Sequence, residues 1–387
     1  MSTYTQVETN GLYELTDAAR SELISSKYYN EDLAPTSVSQ RTWTTYNISM
    51  LWVGMAICVP SLTLATGLVT AGISPWLAIL NVALGNFIIL IPIQLNANIG
   101  CRYGISFPGF ARITFGSRGA QLPILTRAFT ACGWVSVLAW VGGGAIAAAL
   151  GCFIPKFADP DWTVTLPSWG GMQTHSAGIF IGYIIFILLM AWVAYKGVGR
   201  IRVLQNIGGP ILLALLIGLL AWSVKIGSDA GFSFGDIMNQ HSTLHGRAFW
   251  GVYLTGLMGN IAFWAMMAFN IPDFSRYARS QKAYFRGQLY GLPVPMVFCA
   301  FVGAFYAQAA TLFNAANGLS EGKSGWYDPF DAIHVLYNID SKATVLITAL
   351  GVVIATLTTC IAANLVSAAN GFANLSPAKI SYKRGVF

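Results

Sequence analysis

The sequence specifies an all-α integral membrane protein of about eight spans. Three observations carry that reading: a composition poor in charge, a set of long charge-free runs, and an alternation of charge sign between the segments that join them. Hydrophobic residues make up 55% of the 387 and charged residues 10%, with a mean hydropathy of +0.59. A soluble domain carries about 25% charged residues, so this chain has too little polar surface to cover itself and must turn apolar surface to lipid.

From Thr42 to Cys101 there is no Asp, Glu, Lys or Arg. A spanning helix needs roughly 20 apolar residues, so this stretch holds two spans with Ala71–Pro75 as the turn. Charge-free runs over Ala128–Pro155, Ile179–Tyr195, Val203–Val224, Ala248–Pro272, Gly287–Ser320 and Ala343–Ala378 supply six more. A core helix of a soluble protein mimics one such run, not the whole series.

Orientation follows from the basic residues. With the N-terminus inside, the inner segments carry Arg102, Arg112 and Arg118, then Lys196, Arg200 and Arg202, then Arg276, Arg279, Lys282 and Arg286, then Lys379, Lys383 and Arg384. The outer segments carry Asp159 and Asp161, then Asp229 and Asp236, then Glu321, Asp328, Asp331 and Asp340. Both termini are therefore expected to be cytoplasmic in a multi-pass protein of the plasma (inner) membrane. The net charge of +7 is accounted for by a basic cytoplasmic face and calls for no nucleic-acid partner.

Residues 1–43 are acidic and lack an apolar core, which excludes a cleaved signal peptide and suggests a partly disordered cytoplasmic tail. Residues 44–371 form the transmembrane domain, and 372–387 a cytoplasmic C-terminal segment. The six cysteines include no C-x-x-C pair, so neither a metal site nor a disulfide framework is indicated. His175, His241, His245 and His334 all fall in or near outer loops, and no nucleophile motif or phosphate loop is present. An enzyme is the weakest of the readings, and no cofactor is implied.

Span one, about Ile48–Val69, carries Gly54, Pro60 and Gly67. Proline removes a backbone donor, and in lipid the freed carbonyls must find partners or line a cavity. A broken helix here would be a binding device, although the segment taken alone reads more simply as a proline kink. Arg102–Arg118 is too charged to span and reads as an interfacial or re-entrant stretch. Span three carries Trp134, Trp140 and Gly142–Gly144; small residues in that run permit close helix packing. Span six is expected to be interrupted near Gly256, Gly259 and Asn260, just before Phe263 and Trp264. Span eight carries Thr356, Thr358, Thr359 and Asn364. Threonine hydroxyls can bond within their own helix, but a buried amide such as Asn364 needs partners.

Interruptions in spans one and six lie five spans apart. That spacing points to an inverted five-helix repeat with discontinuous helices one and six and a site at the membrane midplane.

Several stretches, in order, resemble the nucleobase–cation symport family of purine, cytosine, uracil, allantoin and hydantoin permeases. They are Asn30-Glu31-Asp32-Leu33-Ala34-Pro35 with Arg41-Thr42-Trp43; Leu51-Trp52-Val53-Gly54-Met55; and Phe107-Pro108 with Ala111-Arg112 and Phe115-Gly116. Arg127-Ala128, Ala131-Cys132-Gly133-Trp134 and Trp140-Val141-Gly142-Gly143 continue the pattern, as do Phe263-Trp264 and Asn270-Ile271-Pro272-Asp273-Phe274-Ser275-Arg276. The resemblance implies that Trp134 and Trp264 sandwich a planar heterocycle, with Phe263 beside them and Asn364 as an amide partner for the ring's edge. It also implies that a coupling cation, Na+ or H+, is handled at Gly54, Ile57, Ala355, Thr358 and Thr359.

Two departures stand out: Leu138 replaces the glutamine usual four residues after the span-three tryptophan, and Cys360 replaces an asparagine ahead of the Ile-Ala-Ala-Asn run of span eight. Each lost buried hydrogen bond matters by about 1 kcal/mol, which shifts or weakens the choice of substrate.

The family carries further spans after the eighth, so the chain reads as a C-terminally truncated member. The function implied is secondary active symport of a planar nucleobase-like heterocycle, such as allantoin, hydantoin, uracil or cytosine, by alternating access. The alternative is a truncated, non-transporting membrane binding protein or remnant. The partners implied are the small heterocycle and the lipid bilayer, with the oligomeric state left open.

Overall fold

The computed structural model describes residues 5–7, 11–159, 161–168, 170–195, 198–321, 323, 325–331 and 341–386. Among them are seven helices long and apolar enough to cross a membrane, and one pair bent by 56° that crosses as an eighth span. Lys196, His334 and Asp340 lie outside the described residues.

The chain opens with a small antiparallel pair, β1 (Thr5–Val7) and β2 (Tyr13–Leu15), followed by α1 (Asp17–Ser25). The first span is α2 (Thr45–Ala56) and α3 (Val59–Thr70). Thr44 and Asn47 cap α2 reciprocally, satisfying two orphan N–H groups at its start. The break falls at Ile57 and Cys58, where Pro60 starts the second half. Span two is α4 (Pro75–Tyr103), ended by Gly104 at a left-handed φ of 70°. There a Cβ would lie 2.6 Å from the Arg41 guanidinium and from the Thr36 carbonyl.

The basic stretch after it forms α5 (Phe107–Gly119), too short to span. Span three is α6 (Gln121–Gly151) and span four α7 (Ala177–Tyr195). Between them lies an antiparallel hairpin, β3 (Thr163–Ser168) and β4 (Gly171–Ser176), that the charge pattern did not foresee. The Gly142–Gly144 run serves packing: a Cβ on Gly143 would stand 2.5 Å from the Tyr183 backbone nitrogen. Span five is α8 (Val198–Asp229), followed by the capped turn α9 (Phe234–Met238).

Span six, α10 (Gly246–Asn270), is one unbroken helix, which corrects the expected interruption at Gly256–Asn260. Gly256 and Asn260 there serve helix packing, while Gly259 faces open space. A Cβ on Gly256 would meet Leu68 at 2.5 Å, and the Asn260 amide donates to Asn81 Oδ1 on α4 at 2.8 Å. The chain turns only past Asn270, into α11 (Pro272–Ser275). Span seven is α12 (Gln281–Gly291) continued by α13 (Pro293–Ala316), whose Phe305 and Tyr306 are fully buried. Span eight is α14 (Lys342–Thr359), a π-helical stretch Cys360–Leu365, and α15 (Val366–Leu375). A final turn, α16 (Tyr382–Gly385), closes the described chain.

Residues 11–43 are not a loose tail, which is the second correction. The Asn30 amide donates to the carbonyls of Pro377 and Ile380, and Asp32 accepts from the Tyr382 N–H. Arg41 is buried and donates to the carbonyls of Tyr13, Thr36 and Cys101. Trp43 bridges to the segment after α11 through Tyr277 and Arg279. Residues 30–43 are thus bound to the segment around Tyr277 and to residues 377–382 at one end of the helix bundle.

Candidate functional site

The break in the first span sets the geometry. Ile57 N–H still reaches the Val53 carbonyl, but Cys58 N–H turns to Ala56. The carbonyl of Gly54 is therefore left without its helical partner. Thr359, at the end of α14, supplies one: its hydroxyl lies 3.2 Å from the Gly54 oxygen and 3.1 Å from that of Met55. Thr358 turns its hydroxyl to Ala355 at 2.8 Å within its own helix. Ile57 and Ala355 both line a neighbouring apolar cavity of about 360 Å³ between the broken first span, α8 and α14. The five residues expected at a cation site thus gather where α2 meets α14, joined by Gln205 of α8, whose amide donates to the Thr358 carbonyl at 2.8 Å.

A second, smaller cavity lies beside the break. It is lined by Trp134, Leu138, Phe263, Trp264 and Asn364, together with Arg127, Cys58 and Thr359. All five residues expected at the substrate site therefore share one wall-to-wall space, and they come from α6, α10 and the π-helical stretch. Trp264 is 2% exposed and Trp134 36%. Trp264 is locked edge-on against Trp52, ring centroids 5.4 Å apart. Trp134 meets Phe263 edge-on at 5.9 Å. The two tryptophans do not stack on each other; each presents a ring to the cavity's border through a different neighbour. The cavity is small, about 40 Å³, and open on one side; Trp134 is the more exposed of its two tryptophans.

Asn364 is 6% exposed and sits where α14 widens into the π-helical stretch, an irregularity frequent at functional sites. Arg127 holds that stretch in place. Its Nη2 donates to the Ala363 carbonyl and its Nε to Asn270 Oδ1 at 2.9 Å. Its Nη1 is buried without a partner, as is the indole N–H of Trp264. Just past Asn270, the buried Asp273 accepts the Phe107 N–H at 3.0 Å and so pins the start of α5. Burial pushes the Asp273 carboxyl above its usual range, and the neighbouring Arg276 opposes that rise.

The sequence reading did not assign Arg127, Gln205 or Trp52 to the site. Arg127 and Gln205 were signalled as polar residues at the edge of, or inside, otherwise apolar runs. Trp52 stood in the Leu51–Met55 stretch of the family resemblance, but no role followed from it. Among the described residues no group of three or more His, Cys, Asp or Glu gathers as a metal site.

Comparison with known proteins fits this arrangement. A family model described as permease for cytosine/purines, uracil, thiamine, allantoin matches residues 35–387. A purine-uracil permease of Arabidopsis thaliana is 40% identical over 360 residues, which are 92% of this chain and 56% of the relative. An allantoin permease of Bacillus subtilis is 30% identical, covering 94% of this chain and 70% of the relative. The chain thus spans little more than half the length of its plant relative. A nucleobase-cation-symport-1 family transporter, solved in a closed conformation with bromovinylhydantoin bound, superposes with a TM-score of 0.72 at 21% identity. That superposition covers 93% of this chain and 72% of the other.

Proposed function

The chain belongs to the family of permeases for cytosine/purines, uracil, thiamine and allantoin, the nucleobase–cation symport family of the sequence resemblance, and from that premise we propose that it carries a planar, carbonyl-bearing heterocycle across the membrane together with a cation. The observation that carries the reading is the convergence of Trp134, Phe263, Trp264, Asn364 and Arg127 on one cavity beside the break in the first span. Aromatic rings give affinity for a delocalised ring in a geometry that tolerates several ring types.

The unpartnered donors set the substrate class. Arg127 Nη1 and the Trp264 N–H are buried with no acceptor, and a buried donor left unmade costs about 1–3 kcal/mol. A ring with carbonyls on its edge, such as uracil, hydantoin or allantoin, supplies acceptors. Asn364 offers both an acceptor and donors to the ring's N–H and C=O. Trp264, fixed against Trp52, is the rigid wall, and the half-exposed Trp134 is the wall that moves to admit the ring.

The coupling ion in this reading is Na+. The oxygens of Gly54, Thr358 and Thr359 are uncharged and hard, a donor set suited to a monovalent cation. Because they join the broken first span to span eight, filling them favours the arrangement in which the heterocycle cavity is formed. That is how a downhill ion drives an uphill ring. The alternation of basic and acidic segments supports a plasma-membrane location with both termini cytoplasmic.

The test is ligand-induced thermal stabilisation of the purified chain against uracil, hydantoins, allantoin and cytosine, in Na+ and in choline, followed by uptake into proteoliposomes. Stabilisation by the diketo rings that strengthens in Na+ is the expected result. A folded protein silent to every ring overturns the proposal.

A further inference from the structure

Span five places one polar side chain in the break of span one. Gln205 is 1% exposed, and its Oε1 lies so close to Gly54 that a Cβ there would stand 1.7 Å away. Only a glycine at 54 leaves room for it. The other end of the amide is fixed, because Nε2 donates to the Thr358 carbonyl at 2.8 Å. Exchanging oxygen and nitrogen would set two carbonyl oxygens against each other, so the bond decides the orientation of the amide. Oε1 is therefore the end beside Gly54, and it is buried with no hydrogen-bond partner.

The hydroxyls around it are already committed elsewhere. The Thr359 proton goes to the carbonyls of Gly54 and Met55, and the Thr358 proton to those of Ile354 and Ala355. The place where α2, α8 and α14 meet is thus rich in oxygen lone pairs and short of protons. A buried acceptor in such a setting is costly unless something electropositive meets it. Hard monovalent cations are bound by oxygens of this kind, and no carboxylate is at hand to favour a divalent one.

We propose that Gln205 is a ligand of the coupling cation: its Oε1 binds Na+ beside the Gly54 carbonyl and the Thr359 hydroxyl, and its Nε2, anchored on Thr358, holds that oxygen in place. The inference rests on the reading of this junction as the cation site. It adds span five to a site otherwise built from spans one and eight. Na+ then ties three helices together, and its release frees α8 from the break as well as α14.

The experiment is a Na+ titration of thermal stability on the purified full chain, with choline holding ionic strength constant, with and without a heterocycle found to bind. The variants are Gln205→Met, which keeps length and loses the oxygen, and Gln205→Glu, nearly isosteric, which adds a charge. Gln205→Met is expected to raise the half-saturating Na+ concentration about ten- to hundredfold while the heterocycle still binds in excess Na+. Gln205→Glu is expected to lower it and to make Na+ binding pH-dependent. It also keeps the test readable if the methionine variant does not fold.

Half-saturation unchanged in both variants, or a loss of stability equal at every Na+ concentration, overturns the role of Gln205 and leaves the cation site standing. A wild-type chain that binds a heterocycle with no response to Na+ overturns the cation site and this inference together, and leaves the heterocycle site intact.

Discussion

Thr359 donates its hydroxyl to the carbonyl of Gly54 at 3.2 Å, so a side chain of span eight closes the break in span one. Removing that hydroxyl without changing the side chain's volume isolates the contact. Thr359→Val is expected to cost about 1–3 kcal/mol, the penalty for a buried acceptor left unpaired, and to abolish the Na+ dependence of heterocycle binding. Thr359→Ser keeps the hydroxyl and should retain both. Thermal melts in Na+ and in choline read the two effects separately. A valine variant with unaltered Na+ response removes Thr359 from the cation site.

The two tryptophans should respond differently, because only one of them is structural. Trp264 is fully packed against Trp52, so Trp264→Ala loses about 3–5 kcal/mol of stability as well as ligand binding. Trp134 is 36% exposed and supports little around it. Trp134→Ala should leave the melting temperature close to wild type and weaken heterocycle binding by about 1–3 kcal/mol, the worth of one ring stacked on an aromatic side chain. Calorimetric titration with the best-binding ring measures this directly. Binding unaffected in both variants moves the substrate away from these rings.

Most of the span architecture was legible because charge is excluded from lipid so strongly. The runs bounded by Arg41 and Arg102, or by Arg247 and Asp273, mark helices whatever their partners. The break at Ile57 was only partly legible: Gly54 and Pro60 flank it, but the segment taken alone read more simply as a proline kink. Gly256 and Gly259 looked alike in sequence and meant something else: Gly256 permits close packing against Leu68, Gly259 faces open space, and the helix runs on. Periodicity cannot separate those uses, because both require a small side chain. The tail was misread for the opposite reason. Counting charges over residues 1–43 cannot reveal that Asn30 and Asp32 have partners near Tyr382. Gln205 was overlooked because one amide in an apolar run becomes significant only when Gly54 is seen beside it.

Leu138 lines the cavity and is 2% exposed. Leu138→Gln puts an amide of similar length into the wall of the cavity, where a bound ring can partner it. In the absence of ligand the variant should melt lower by about 1–3 kcal/mol of lost stability, the cost of an unpaired buried amide. With a ring bound, the amide gains its partner, so the ligand-induced shift should exceed that of the wild type for rings carrying adjacent C=O and N–H groups. A panel of uracil, hydantoin and allantoin shows whether the order of preference changes. An unchanged affinity for every ring places Leu138 away from the substrate.

Asp273 ties the start of α5 to the end of span six through the Phe107 N–H at 3.0 Å, with Arg276 and Arg127 close enough to act on its charge. Asp273→Ala strands that buried N–H, a loss of about 1–3 kcal/mol for a donor left without its acceptor. Asp273→Asn keeps an oxygen for Phe107 and should cost less. Burial raises the carboxyl's pKa, more than Arg276 lowers it, so the folded chain holds this proton more tightly than the unfolded chain. Its contribution to stability is then fully present below the ordinary carboxylate range and is lost as pH rises through the raised value. Melting curves across that window should fall with rising pH in the wild type and flatten in Asp273→Asn. A slope that persists unchanged in the asparagine variant assigns it to another group, and an alanine variant as stable as the wild type removes Asp273 from the closure of the site.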